Sequence, residues 1–336
     1  MLYHIETEER TVGHHAGTVY TLVRNDIGAM AEIWPSLGFN CLKWQCGGQD
    51  LLYAAADWYE NPLPTRSGIP ILFPFPNRIR DGRFTHEGKS FQLPKNDSTH
   101  LNAIHGFSPR IAWRVSGYGA DAAGAWLHGD FQLSVDAGEV DDRWPADGIL
   151  SVVYRLGADR LRIEMRVRNA GPTTFPFGVG LHPYFRLPVA DADIARYRLH
   201  APARSVWPLV NSLPTGDRAR MPDDLNWNRP RPILSTALDT VYGDLGAIRE
   251  STDGLLLRAA LGHDDLSGQL EVWTSPDFRE SVLFAPPHRK AVCIEPYTCT
   301  TDAINLGDRG IDGGWRVLPV GGEWAGIVEL RWNESP

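Results

Sequence analysis

The chain has 336 residues, of which 43% are hydrophobic and 10% aromatic, and a formal net charge of -8 at pH 7. An acidic balance without a basic stripe argues against a nucleic-acid partner. No apolar run approaches the roughly 18 residues of a membrane-spanning helix, and the start MLYHIETEER lacks the basic and apolar stretches of a signal peptide, so a cytoplasmic protein without a membrane partner is expected.

Alternation of apolar and polar residues dominates the chain. Strands are expected at residues 19–24, 29–34, 125–127, 131–135, 269–273, 282–284 and 327–332. The clearest pair is 149–156 and 160–169, where Leu161, Ile163, Met165 and Val167 alternate with charged residues after a Gly157-Ala158-Asp159 turn. Long amphipathic helical patterns are missing, and 33 Gly and 25 Pro are spread between the short strands. This favours an antiparallel β-sandwich over an α/β sheet. No composition break marks a domain boundary, and the Pro-rich residues 202–232 read as a long surface excursion. Cys41, Cys46, Cys293 and Cys299 form no C-x-x-C motif and read as buried reduced thiols. Dinucleotide fingerprint, P-loop, H-E-x-x-H and G-x-S-x-G motifs are all missing, and no metal-ligand spacing is present.

Four segments do not read as ordinary strands. Residues 68–84 (GIPILFPFPNRIRDGRF) carry three prolines inside an apolar run, so they form an ordered, partly buried loop that holds Arg78. That arginine reads either as a surface residue or as a fork of donors for a polar ligand. His105 in NAIHGF fits a hydrogen-bonded core histidine as well as a ligand-binding one. His182 in FGVGLHPYF precedes a proline, which holds it extended among aromatic neighbours. Glu295 ends the apolar run AVCIE, where an unpaired buried carboxylate is costly and so implies a partner or a pocket. Asp239 in ALDTVY alone reads as a turn or cap residue.

Taken in order, Asn77-Arg78-Ile79, Gly82-Arg83-Phe84, His105-Gly106, His182-Pro183-Tyr184-Phe185, Leu238-Asp239 and Ile294-Glu295-Pro296 resemble the aldose 1-epimerase family. The resemblance implies a large twisted antiparallel β-sandwich of galactose mutarotase type, here a single domain over residues 1–336, acting on a small sugar such as galactose or glucose. It implies Glu295 as general base, His182 as general acid, and Arg78, His105 and Asp239 as substrate-binding residues. Interconverting anomers requires one acid and one base at C1 and the ring oxygen; it involves no redox change, so no cofactor or metal is expected. A monomer or homodimer fits equally. Phe107, Tyr184 and Phe278 are candidates to stack on the sugar. Three other readings stay open. Arg66, Arg80, Arg83 and Arg110 would suit a hexose 6-phosphate. A non-catalytic sugar-binding module would use the same hydroxyl partners. The third is a glycoside hydrolase or polysaccharide lyase; a hydrolase would need a second carboxylate of raised pKa, for which Asp239 shows no setting.

Overall fold

The computed structural model describes residues 2–60, 66–138, 143–187, 194–233, 237–264 and 268–333. The strict alternation of residues 160–169 forms one strand, Arg160–Asn169, with Leu161, Ile163, Met165 and Val167 buried. Burying each such side chain contributes roughly 1.5–3 kcal/mol. It pairs antiparallel with Gly148–Leu156 on one side and Glu323–Asn333 on the other. From this centre a ten-stranded sheet grows among the described residues. Arg114–Asp121 lies near one edge, and Gln269–Thr274, Leu256–His263 and Tyr197–His200 extend it on the other side.

A second sheet of eight strands runs in the order Ala219–Arg220, Ala203–Trp207, Asp239–Leu245, Glu280–Phe284, Ala291–Tyr297, Gly180–Leu181 and Ile71–Leu72, with Tyr184–Arg186 also paired to Ala291–Tyr297. An N-terminal meander from Tyr3–Val12 to Gln49–Asp50 forms a third sheet of five strands. One buried cluster joins Leu22 and Trp44 of the meander, Phe131, Tyr154, Ile163 and Leu330 of the large sheet, and Leu181, Leu283 and Val292 of the second sheet. The architecture is the all-β antiparallel sandwich that the alternation predicts. No helix among the described residues is long and apolar enough to cross a membrane.

Two expectations are corrected. Residues 131–135 are not one strand: the strand Gly124–Gln132 gives way to a helical turn, Leu133–Asp136. The cause is local. Asp136 Oδ2 accepts the Gln132 N–H (2.6 Å) and Asp147 Oδ1 accepts the Ser134 N–H (3.0 Å), so carboxylates take donors a sheet ladder would need. Residues 202–232 are not a surface excursion throughout. Ala203–Trp207 lies inside the second sheet against Asp239–Leu245, and Trp207 and Trp227 are buried with their indole N–H groups donating to Glu280 and to the Tyr242 hydroxyl. Residues 68–84 are ordered as expected but more deeply placed, with Ile71, Leu72, Phe73, Phe75 and Ile79 buried.

Candidate active site

Strand register explains why distant residues meet. Asp239 stands opposite Phe284, Phe284 opposite Cys293, and Cys293 opposite Tyr184. One pleat along, Val241 stands opposite Val282 and Val282 opposite Glu295. Gly180 pairs with Tyr297, so the period of two brings His182 level with Glu295. All these side chains share one face of the second sheet. Glu295 therefore sits within the strand Ala291–Tyr297, near its C-terminal end.

The His182 Nε2 atom lies 3.4 Å from Glu295 Oε1. Both are nearly enclosed, at 6% and 2% exposure. The Tyr184 ring stacks on His182 at 4.7 Å and 3°, and Phe284 meets it edge-on at 6.3 Å. The Tyr297 hydroxyl donates to Glu295 Oε2. Gly180 makes room for that contact, because a Cβ there would run into the Tyr297 ring.

A second arm comes from residues 77–79 and 103–106. Ile79 pairs with Ala103 and Arg78 with Ile104. His105 and Gly106 both take positive φ, 63° and 67°, which turns the histidine inward. The Asn77 N–H donates to His105 Nδ1 (3.2 Å), so the neutral ring carries its proton on Nε2. The His105 and His182 rings meet edge to face at 5.6 Å. Arg78 is half-buried and donates from Nε to Asp97 (3.3 Å) and from Nη1 to Asn77 (3.2 Å). A Cβ on Gly106 would collide with the Phe73 carbonyl. Gly106→Ala should therefore cost about 3 kcal/mol, the sum of αL strain and a forced backbone shift. Gly88→Ala, at φ 79° with nothing within 4 Å, is the control and should cost only about 1 kcal/mol. Calorimetric melting of the two variants checks this, and equal losses would contradict it.

Desolvation governs the electrostatics. Burial pushes the Glu295 carboxyl well above the usual range; the Tyr297 hydrogen bond and Arg78 oppose this, while Asp239 reinforces it. Burial lowers His182 to about 3 and takes His105 well below its ordinary value. The buried pair thus favours a protonated carboxyl facing a neutral imidazole, with one proton between them. Asp97 is the opposite case. Burial would raise it, but hydrogen bonds from Asn102, Thr99 and Leu101 outweigh that and hold it as a carboxylate. Tyr297→Phe removes a bond that favours ionised Glu295, so the Glu295 pKa should climb further. The acidic limb of kcat/KM should then move to higher pH, with about a tenfold loss near pH 7. A pH–rate profile with no shift, or a shift downward, would refute this.

A cavity of about 580 Å³ opens on this face. Its wall includes three of the expected residues, Arg78, His105 and His182, together with Tyr53, Asp97, Tyr184, Phe284 and His288. Glu295, in contact with His182, and Asp239 are not among the wall residues. Asp239 opens the strand Asp239–Leu245 opposite Phe284, which corrects the expectation of a turn or cap residue; it is exposed as a residue, yet burial raises its carboxyl against the opposing charge of Arg78. Among the candidate stacking residues, Tyr184 lines the cavity and Phe107 an adjoining chamber of about 210 Å³. Phe278 is fully buried against Trp324 in the core, so it does not stack on a ligand in this cavity. Of the four arginines considered for phosphate, Arg66 and Arg110 line the cavity, whereas Arg80 is paired with Asp302 and Arg83 lies elsewhere on a short ribbon.

Phe284, Asp97 and Tyr297 were not singled out from the sequence. The register around Glu295 points to the first, and the Glu295-Pro296-Tyr297 alternation to the last; Asp97, in a loop, leaves no such signal. The sequence shows no metal-ligand spacing, but the fold brings ligand atoms of His182, Cys293 and Glu295 within 4.8 Å of one another. Holding a cation there would mean deprotonating a thiol and a carboxyl that burial keeps protonated.

Two large antiparallel sheets with this cavity define the galactose mutarotase-like class of folds. A galactose mutarotase-like protein from Clostridium acetobutylicum superposes with a TM-score of 0.85 at 22% identity, covering 98% of this chain and 99% of that one. Galactose 1-epimerase from Lactobacillus acidophilus superposes with a TM-score of 0.77 at 17% identity, covering 99% of both chains. The uncharacterized protein YihR of Escherichia coli is 25% identical over 294 residues, which is 78% of this chain and 88% of YihR. The aldose 1-epimerase family model matches residues 23–331, and the chain belongs to that family.

Proposed function

We propose that this chain is a single-domain aldose 1-epimerase that interconverts the α and β anomers of an aldohexose by opening and reclosing the ring. The observation that carries this reading is the 3.4 Å contact between His182 Nε2 and Glu295 Oε1 beside the cavity. Such a pair supplies the one acid and one base that ring opening needs. In the forward direction Glu295, ionised by passing its proton to His182, takes the C1 hydroxyl proton. His182 protonates the ring oxygen as its bond to C1 breaks. The aldehyde rotates, and closure runs the same transfers in reverse. His105, donating from Nε2, would hold the sugar near the ring oxygen, and Arg78 and Asp239 would hold distal hydroxyls.

The test is direct. Freshly dissolved α-glucose and α-galactose should lose excess optical rotation faster with the protein than without it. Sugar binding without acceleration would instead identify a binding module. Release of reducing sugar from an oligosaccharide would revive the hydrolase reading, which the raised Asp239 carboxyl keeps chemically admissible.

A further inference from the structure

We propose that the mouth of the cavity reads an anionic substituent on the sugar, held by Arg110 and Arg66. This deepens the mutarotase reading and rests on it.

Arg110 ends the short turn Ser108–Arg110 and lines both the 580 Å³ cavity and the adjoining 210 Å³ chamber. Arg66 lines the cavity from the chain before Gly68. Among the described residues neither guanidinium has a hydrogen-bond or ion-pair partner. The neighbouring Arg78 is different, since Asp97 and Asn77 take its donors. Arg258 makes a useful contrast elsewhere. Burial disfavours its charge as it does that of Arg110, but the Leu245 and Gly246 carbonyls accept from it at 2.9 and 3.0 Å. Arg110 is open to solvent on one side and crowded by protein on the other, where no acceptor meets it. A ligand anion entering from the open side would complete that arrangement.

The charge around the cavity points the same way. Three arginines, Arg66, Arg78 and Arg110, and two aspartates, Asp57 and Asp97, stand on the wall, and Asp239 off the wall acts on Arg78, so Arg66 and Arg110 are the wall cations without a partner among the described residues. Asp97 is already saturated by Arg78, Asn102 and Thr99, and Asp57 is exposed at the rim. Burial holds His105, His182 and His288 below their ordinary values, so they add no charge at pH 7. A chain of net charge -8 thus keeps two guanidinium groups, unpaired among the described residues, on this wall, and such groups attract anions. The chemistry then fixes the ligand class. Ring opening needs a free C1 hydroxyl, so the anion must sit at a distal carbon, and C6 is the carbon that carries a phosphate ester or is oxidised to a carboxylate. Arginine binds either group with two parallel N–H donors.

Anomer exchange measured by NMR on glucose, glucose 6-phosphate and glucuronate, each corrected for its uncatalysed rate, tests the proposal. The native protein should give at least one charged sugar a kcat/KM about tenfold above glucose at low salt, and added KCl should shrink that advantage. Which charged sugar gains separates a phosphate reader from a carboxylate reader. Arg110→Met should collapse the charged-to-neutral ratio, and Arg66→Gln should reduce it. A native preference for glucose, or a ratio that neither substitution moves, overturns the proposal. If Arg110→Met does not fold, two other measurements decide: the salt dependence of the native ratio, and the ratio for Arg110→Lys, which keeps the charge but loses the paired donors. If the native protein accelerates none of the three sugars, the mutarotase reading fails by itself. NMR titration then decides the anion question: tighter binding of a charged sugar than of glucose supports it, and equal binding overturns it.

Discussion

Glu295→Gln should slow mutarotation by about 10²–10⁴-fold, which is roughly 3–5.5 kcal/mol of lost transition-state stabilisation. Glutamine keeps the size and hydrogen-bonding capacity of the side chain, so the Tyr297 hydroxyl still has an acceptor and the strand Ala291–Tyr297 stays paired on both sides. What it removes is the group that can lose and regain a proton beside C1. Sugar affinity and the circular dichroism spectrum should stay near those of the native protein. Polarimetry at fixed sugar concentration reads the loss, and a variant with native turnover would end the assignment of Glu295 as base. Burial disfavours the charged form of Glu295, so removing that group should also relieve a cost to folding above the ordinary carboxylate range. The sign follows from the raised pKa. The native protein has no such penalty below about pH 4.3 and acquires it as pH rises towards the pKa of the folded state.

His182→Asn should cause a loss of similar size while the sugar still binds. The double variant should be little worse than either single one, because one proton is shared between two partners and removing either breaks the transfer. A fully multiplicative double loss would show that the two residues act independently. The two variants differ in packing. Tyr184 stacks in parallel on the imidazole, so asparagine also leaves a gap beside an aromatic ring. A modest fall in melting temperature should accompany His182→Asn and not Glu295→Gln.

Much of the fold was legible because alternation is a direct consequence of a pleated strand with one dry face. Residues 160–169 show it without interruption, and they form the strand on which the large sheet is centred. Residues 131–135 alternate too, yet Asp136 and Asp147 draw their backbone donors away from the ladder, a competition that depends on side chains meeting across the fold. The Pro-rich stretch 202–232 misled for a related reason. Its prolines mark turns correctly, but Ala203–Trp207 between them finds a partner strand more than thirty residues later. At the site, motif order singled out Arg78, His105 and His182 on the wall and Glu295 in contact with His182. It left Asp97 unmarked, because that residue acts only through the hydrogen bonds a folded loop aims at it.

The cavity is assembled from two kinds of chain. His182, Glu295, Tyr184 and Tyr297 are locked by the pairing of the second sheet, where a shift of one residue would turn each away from its neighbour. Asp57, Arg66, Ser98, Arg110 and His288 reach the cavity from connections between strands and are exposed. Changes of length or charge in those connections leave the sheet register alone. Proton transfer and choice of sugar would therefore be separately heritable: a lineage, or a combinatorial library confined to the rim, has room to exchange one substrate for another while the apparatus beneath keeps working.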